Sequence, residues 1–174
     1  MQKSSLKKTV AKTLSHVLVG KKHGNQKNLR GLILEQKICT IEIMTNGIGL
    51  YEITGNITTT VDELKFNNAL INLSIPHTSC SLLIQENASP AVQNDLISFY
   101  KKIAPMDKNL YEHDIEGIDD MPAHIKTSLT QTNLTLSIID KKLMLGKWQG
   151  IFLFEHRIAN QMRKVVTHIM GDNS

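Results

Sequence analysis

A run of sixteen residues, YEHDIEGIDDMPAHIK at 111–126, concentrates side chains that can carry or exchange a proton. It places two histidines, His113 and His124, on either side of an acidic segment. Neutral imidazole is a good ligand for transition metals, and nearby carboxylates can bind the same ion or orient the ring. The run contains no HExxH or CxxC spacing, so its composition leaves a solvated loop as the alternative to a metal or proton-transfer site.

Part of this run has a purely structural explanation. Gly117 permits a tight turn, and Asp119 or Asp120 can cap a helix that begins near Met121-Pro122, where negative charge suits the helix dipole. The explanation does not extend to four other polar residues, Glu112, His113, Asp114 and Glu116. These four keep a functional interpretation open.

Three further segments carry side chains that could form part of a site. The corner His77-Thr78-Ser79 can aim a ring and two hydroxyls into a cavity, or it can form a turn whose hydroxyls bond the local backbone. Glu155-His156-Arg157 ends an apolar strand, and Arg157 can bind a phosphate or a carboxylate through two hydrogen bonds, or it can be a surface cation. Trp148, between Gly146 and Gly150, can floor a ligand pocket or belong to a core or interface.

The bulk composition narrows the class of protein. A chain of 174 residues predicts one domain, and no run of about 18 apolar residues occurs, so no membrane span is expected. Two cysteines make no disulfide framework, which predicts a reducing, cytoplasmic location. Residues 1–30 hold eight of the 20 basic residues and no acid, so the rest has twelve against sixteen acids, a net charge of −4. An acidic body argues against a nucleic-acid partner.

The basic N-terminal segment differs in texture from the remaining chain. We predict that residues 1–31 form a disordered basic extension and that 32–174 form a single domain. Organellar targeting is the alternative, although such segments favour Arg and this one is mostly Lys.

Hydrophobic periodicity predicts an α+β fold, a mainly antiparallel β-sheet or sandwich with a few helices. Ser89 and Pro90 open a predicted helix whose apolar face recurs through Ile103, and a second helix is expected from about Met121. A short helix at 58–64 is one reading of an ambiguous segment. The predicted strands are 34–45, 49–54, 69–77, 80–86, 134–140, 143–156 and 164–171.

Three blocks together resemble the YjbQ family: HTSCSLLIQEN (77–87), YEHDIEGIDDMPAHIKTSL (111–129) and LGKWQGIFLFEHR (145–157). Members of that family carry HTSASL-x-I-NEN, Y-x-HD-x-EG-x-DDMP-x-HIKSS and LGTWQGI-x-L-x-EHR in the same order. The resemblance spans about residues 33–172. This chain departs from the pattern at three positions, with Cys80 for Ala, Gln85 for Asn and Lys147 for Thr. Alanine at the first of these in the family argues against a catalytic thiol.

The resemblance implies a small α+β protein that forms homotrimers, with histidines and acids clustered near subunit boundaries. It also implies a secondary thiamine-phosphate synthase activity. That reaction joins a hydroxymethylpyrimidine diphosphate to a thiazole phosphate and displaces diphosphate.

We therefore expect a polar site built from the matched residues. His113, His124 and His156 are the predicted ligands of a divalent metal, with zinc as first choice and magnesium as the alternative. His77 is the predicted general acid or base, and Asp114 or Glu155 would orient a ligand imidazole. The predicted contacts to a phosphorylated substrate are Thr78, Ser79, Asn87, Lys126, Trp148 and Arg157.

The sequence is compatible with three functions. The first is a metal-assisted transferase acting on a phosphorylated small molecule, with phosphate-ester hydrolysis as a close variant. The second is a trimeric protein that binds a metal or ligand without catalysis. In the third, the imidazoles only tie three subunits together through hydrogen bonds.

Overall fold

The computed structural model describes residues 34–64 and 66–172. The predicted extension at 1–31 lies outside them. The strands are β1 (Glu35–Asn46), β2 (Gly49–Glu52), β3 (Asn68–Ser74), β4 (Cys80–Glu86), β5 (Asn133–Ile139), β6 (Lys142–Leu143), β7 (Gln149–Glu155) and β8 (Asn160–Asp172). The helices are α1 (Thr54–Leu64), α2 (Pro90–Ile103) and α3 (Asp120–Leu129), with a 3₁₀ turn at Lys108–Leu110.

The strands form two sheets in which neighbouring strands are antiparallel. One sheet has the order β1-β8-β3-β5-β6 and the other has the order β2-β7-β4. The longest pairing joins β1 to β8 in continuous register, from Glu35 opposite Gly171 to Asn46 opposite Asn160. The mainly antiparallel α+β architecture predicted from the sequence is therefore confirmed.

Strand β7 is the central strand of the smaller sheet and is buried on both faces. Ile151 and Leu153 belong to the main apolar core, together with residues of β3, β4, β8 and α1. On the other face, the ring of Phe154 meets Tyr100 of α2 edge to face at 5.3 Å. Because both faces are covered, Glu155 at the end of β7 is fully buried, and so is His156, which follows it.

Several predicted boundaries differ from the structure: the strands expected at 49–54, 69–77 and 164–171 are found at Gly49–Glu52, Asn68–Ser74 and Asn160–Asp172. The strand expected over 143–156 is interrupted, because Gly146-Lys147-Trp148 turns back on itself. The backbone N–H of Gly146 donates to Gln149 Oε1 at 2.7 Å, and the Gln149 N–H donates to the Gly146 carbonyl at 2.9 Å. Helix α1 begins at Thr54, four residues before the short helix predicted there.

The predicted helix beginning at Pro90 is confirmed, although its apolar face is only partly covered. None of its residues is fully buried, and Phe99 and Ile103 are exposed. In the described part of the chain, no helix has the length and apolar character needed to cross a membrane.

Candidate metal centre

The first turn of α3 sets the geometry of the candidate centre. Asp120 and His124 are four residues apart, so their side chains lie on one face of the helix. Just before the helix, Gly117 adopts φ +112°, a left-handed conformation that suits glycine. A side chain there would also place its Cβ 3.2 Å from Asp119 Oδ1. The turn thus leads from the segment that carries His113 into the helix.

One carboxylate oxygen lies beside both imidazoles. Asp120 Oδ2 is 2.7 Å from His113 Nε2 and 3.4 Å from His124 Nε2. All three atoms lie within 4.8 Å of one another, and the two ring centroids are 5.6 Å apart. The His113 and His124 side chains are 44% and 34% exposed, whereas that of Asp120 is only 2% exposed. The cluster therefore presents its imidazoles outward and its carboxylate inward.

A backbone carbonyl fixes the tautomer of the neutral His124 ring. Its Nδ1 lies 3.0 Å from the carbonyl oxygen of Thr78. Because a carbonyl can only accept, Nδ1 carries the proton, and in the neutral ring the lone pair remains on Nε2, beside Asp120. This is the arrangement usually found in metal-binding histidines.

Arg157 binds the two aspartates of the predicted helix start. Its Nε donates to Asp119 Oδ2 at 3.0 Å, its Nη1 donates to Asp120 Oδ1, and its Nη2 donates to the Glu116 carbonyl at 2.8 Å. The Ile158 N–H donates to Asp119 Oδ2 at 2.7 Å. Asp119 occupies the N-cap position without a side-chain capping bond, so the predicted capping role is replaced by these contacts.

His156 is placed away from this cluster. Its ring is fully buried, contacts Phe154 at 4.3 Å between centroids, and has Nε2 3.0 Å from Ser81 Oγ. Burial, reinforced by the charges of Lys126 and Arg163, lowers the pKa of His156 to about 3. The ring is therefore neutral at ordinary pH. The structure brings together two of the three predicted ligand histidines and adds Asp120.

Glu155 is the hub of a second, buried polar network. Its Oε1 accepts from the backbone N–H groups of His156 and Arg157, both at 2.9 Å, and from Arg163 Nη2 at 2.7 Å. Its Oε2 accepts from Thr45 Oγ1 at 2.8 Å and Arg163 Nε at 2.7 Å. These five bonds satisfy the carboxylate and fix the end of β7. Glu155 contacts no imidazole nitrogen through these bonds, so it positions backbone here.

The corner at residues 77–79 serves both networks. His77 Nε2 accepts from the Lys164 backbone N–H at 2.9 Å, and burial, aided by the charge of Arg163, lowers its pKa. Ser79 Oγ accepts from Arg163 Nη2 at 3.0 Å, whereas Thr78 meets His124 through its carbonyl. His77 is thus neutral with its proton on Nδ1, and its Nε2 is already occupied.

The remaining predicted residues lie in different surroundings. Lys126 is 1% exposed, and its Nζ has no hydrogen-bond partner among the described residues. Burial, followed by the charge of Lys101, lowers its pKa. Asp114 is exposed and lines, with His113, a cavity of about 10 Å³, room for one water molecule.

Asn87 and Trp148 lie at the edge of the smaller sheet. The Asn87 N–H donates to the Trp148 carbonyl at 3.0 Å, and its side chain donates to Glu52 Oε1 at 3.2 Å. Trp148 is 57% exposed, with Lys147 Nζ 4.6 Å from its ring centroid. Neither shares a hydrogen bond with the His113 cluster.

The sequence did not identify Asp120 and Arg163 as members of these networks. Asp120 was interpreted as a helix cap, although its spacing of four from His124 on a predicted helix is a signal for a shared site. Arg163, which pairs with Glu155, had no local signal, because the contact joins β7 to β8 across different sheets.

Comparisons with known proteins agree with the resemblance in the motifs. The family model described as UPF0047 protein YjbQ-like matches residues 39–172. The UPF0047 protein sll1880 of Synechocystis is 42% identical over 75% of this chain and 88% of its own length. YjbQ of Escherichia coli O157:H7 is 38% identical over 79% and 98%, respectively.

Solved structures match as well. The conserved hypothetical protein TT1486 of Thermus thermophilus matches with a TM-score of 0.66 and 32% identity over 74% of this chain and 97% of its own. A YbjQ-like protein of unknown function from Sulfolobus solfataricus matches with a TM-score of 0.71 over 79% and 100%, and at 18% identity it supports the fold alone. With its motifs, its fold and these relatives in agreement, the chain belongs to the YjbQ-like UPF0047 family.

Proposed function

We propose that His113, His124 and Asp120 hold a divalent metal, with zinc as first choice. The observation that carries the proposal is the single oxygen, Asp120 Oδ2, that lies beside both imidazole Nε2 atoms. Two nitrogens and one oxygen make a donor set that zinc accepts in catalytic sites, where three protein ligands are usual. Two imidazoles favour a transition metal over magnesium, which prefers oxygen.

The chain's own residues fit this role. The Thr78 carbonyl keeps a proton on His124 Nδ1 and so leaves Nε2 to bind. Asp120 supplies the negative charge, and the half-exposed ring of His113 leaves the centre open towards solvent. A metal bound there supplies Lewis acidity for polarising a phosphoryl oxygen or activating water.

We further propose that the centre acts on a phosphorylated small molecule. The family resemblance implies thiamine-phosphate synthesis as the reaction to try first, and phosphate-ester hydrolysis by the same centre is the second. The solvent-facing side of the centre supports an enzyme over a closed structural metal site. Because the Nε2 of His77 is engaged by Lys164, this neutral ring can offer the substrate a hydrogen bond from its Nδ1–H.

A homotrimer is part of the same proposal. Apolar side chains near His113 in the sequence are exposed on the single chain: Leu110 is 59% exposed and Ile115 is 90% exposed. Isolated exposed apolar residues are ordinary, but several close to a polar centre are typical of an interface. A neighbouring subunit that covers them would lie close to the centre.

Metal content tests the proposal first. Protein purified without chelator, then stripped and titrated with zinc, should bind about one ion per chain if the three donors act together. His124→Ala and Asp120→Asn should weaken zinc binding by more than the roughly 100-fold upper range for outer-sphere changes. His168→Ala is the matched control, because His168 lies on β8 and bonds Gln36 Oε1 at 3.1 Å.

Turnover separates an enzyme from a binding protein. The stripped protein, given a pyrimidine diphosphate and a thiazole phosphate, should lose its rate and regain it with zinc. A rate enhancement below about 10²-fold, the lower range for one positioned acid or base, would favour binding or another substrate. Wild-type protein that binds no zinc would refute the metal centre itself.

A further inference from the structure

We propose that Arg157 is a positioning residue for the metal centre. By holding one oxygen of Asp120, it leaves only the other oxygen to bind the ion. This inference rests on the proposed function, and it assigns to Arg157 a role different from the phosphate contact expected from the sequence.

Arg157 and the two imidazoles contact different oxygens of Asp120. Its Nη1 is on Asp120 Oδ1, while the two imidazoles approach Oδ2 of the same carboxylate. The two oxygens therefore have separate partners, one cationic and one facing the candidate ligands. A carboxylate held in this way offers a metal one oxygen.

Two bonds besides the contact with Asp120 hold the guanidinium in place. Nε bonds Asp119 at 3.0 Å and Nη2 bonds the Glu116 carbonyl at 2.8 Å, so the fork is fixed on both sides of its contact with Asp120. The Arg157 backbone N–H is bound to Glu155, which is itself paired with Arg163. With its side chain only 16% exposed, Arg157 is a built part of the centre.

Only arginine can make these contacts together. Its planar group presents donors in a fixed fork, whereas the single ammonium of lysine cannot reach three acceptors that surround a plane. In Arg157→Lys, Asp120 Oδ1 would lose its partner. The carboxylate could then rotate or bind a metal through both oxygens.

Arg157 also determines how many coordination positions the chain leaves open at the centre. With Asp120 limited to one oxygen, the chain offers three donor atoms, which is the number found in catalytic rather than structural zinc sites. Arg157 thereby preserves a place for an exchangeable oxygen ligand. The class of ligand is a small molecule with an anionic oxygen, which phosphoryl groups supply.

The test compares Arg157→Lys with wild type and with Lys164→Arg. The control also exchanges one cationic side chain for another, but the Lys164 side chain is exposed on β8, where its Nζ meets Glu42 Oε1 at 3.7 Å instead of the carboxylates that Arg157 contacts. Zinc affinity is measured by competition with a chromophoric chelator, and the absorption spectrum of the cobalt-substituted protein reports coordination. Thermal melting of each variant without metal reports folding.

We expect Arg157→Lys to bind zinc roughly 10- to 100-fold more weakly, the range for outer-sphere partners, and to change the cobalt spectrum. Lys164→Arg should keep the wild-type affinity and spectrum. Equal affinity and an identical spectrum in Arg157→Lys would overturn the inference while the metal centre stands. Absence of zinc binding by wild type would overturn both.

A measurement on wild type decides the matter if Arg157→Lys does not fold. X-ray absorption at the zinc edge, or a crystal structure of the zinc-loaded protein, shows how Asp120 binds. One Asp120 oxygen on zinc, with the other still bonded to Arg157, supports the proposal. Both oxygens on zinc would refute it.

Discussion

Because the buried ring of His156 is neutral, we predict that the free energy of unfolding falls by a calculable amount in acid. Its pKa of about 3 in the folded chain compares with an ordinary value of 6.5, and burial is the main cause. Between these values, the unfolded chain binds one more proton than the folded chain. The contribution to stability is therefore fully present above pH 6.5 and is lost as the pH falls towards 3.

The size of the loss follows from the shift. One pH unit corresponds to about 1.36 kcal/mol for one proton, so lowering the pH to 5, 1.5 units below the ordinary pKa, removes about 2 kcal/mol. A loss of this size is a large share of the roughly 5–15 kcal/mol that stabilises a typical domain.

Urea unfolding at pH 7 and pH 5 measures the effect. Wild type is compared with His156→Gln, whose amide can still meet Ser81 Oγ but does not titrate. A chelator in all samples prevents stabilisation by bound metal. A fixed protein concentration keeps the contribution of subunit assembly the same in all samples. Between the two pH values, wild type should lose about 2 kcal/mol more free energy of unfolding than the variant.

His168→Gln serves as the control, since this histidine is partly exposed on β8 and bonds Gln36. It should keep the wild-type dependence on pH. If wild type and His156→Gln lose equal free energy between pH 7 and pH 5, the buried neutral ring does not contribute as argued.

Two further predictions concern packing and the thiols. Gly171→Ala should lower the free energy of unfolding by about 1–3 kcal/mol, because its Cβ would meet Ala69 Cβ and the Asn68 carbonyl oxygen at 2.4 Å. Gly55→Ala in α1, whose added Cβ meets nothing within 4 Å, should instead raise the free energy of unfolding by about 0.4–1 kcal/mol. Urea unfolding measures both variants, and a larger loss of stability in Gly55→Ala than in Gly171→Ala would contradict the packing argument. Burial raises the pKa of the Cys80 thiol to about 12, so iodoacetamide at pH 8 should leave Cys80 unmodified in the folded chain, as peptide mass mapping would show, and rapid alkylation there would contradict its burial.

Local signals predicted much of the secondary structure. Pro90 and the helical spacing of Val92, Leu96 and Tyr100 identified α2, because these signals lie within one element. The pairing of β1 with β8 could not be read in the same way, since it joins residues more than a hundred positions apart. The prediction of one continuous strand over 143–156 was wrong, because the turn at Gly146 depends on the bond from its N–H to the Gln149 side chain.

The candidate site divides in the same manner. His113 and His124 were placed in one site because they flank a short acidic run, and the structure brings their rings together. Nothing local to His156 shows that its Nε2 faces Ser81, since that contact depends on how β4 pairs with β7. The metal itself, the substrate and the trimer stay predictions.

Because Asp120 and His124 lie within a single helical turn, the centre does not tolerate insertions or deletions between them. One residue inserted between them would rotate His124 by about 100° around the helix axis and carry its ring off the shared face. A deletion would do the same in the opposite sense. Insertions that preserve the centre must therefore lie outside residues 120–124, and a homologue with an extra residue inside that turn cannot use the same ligands.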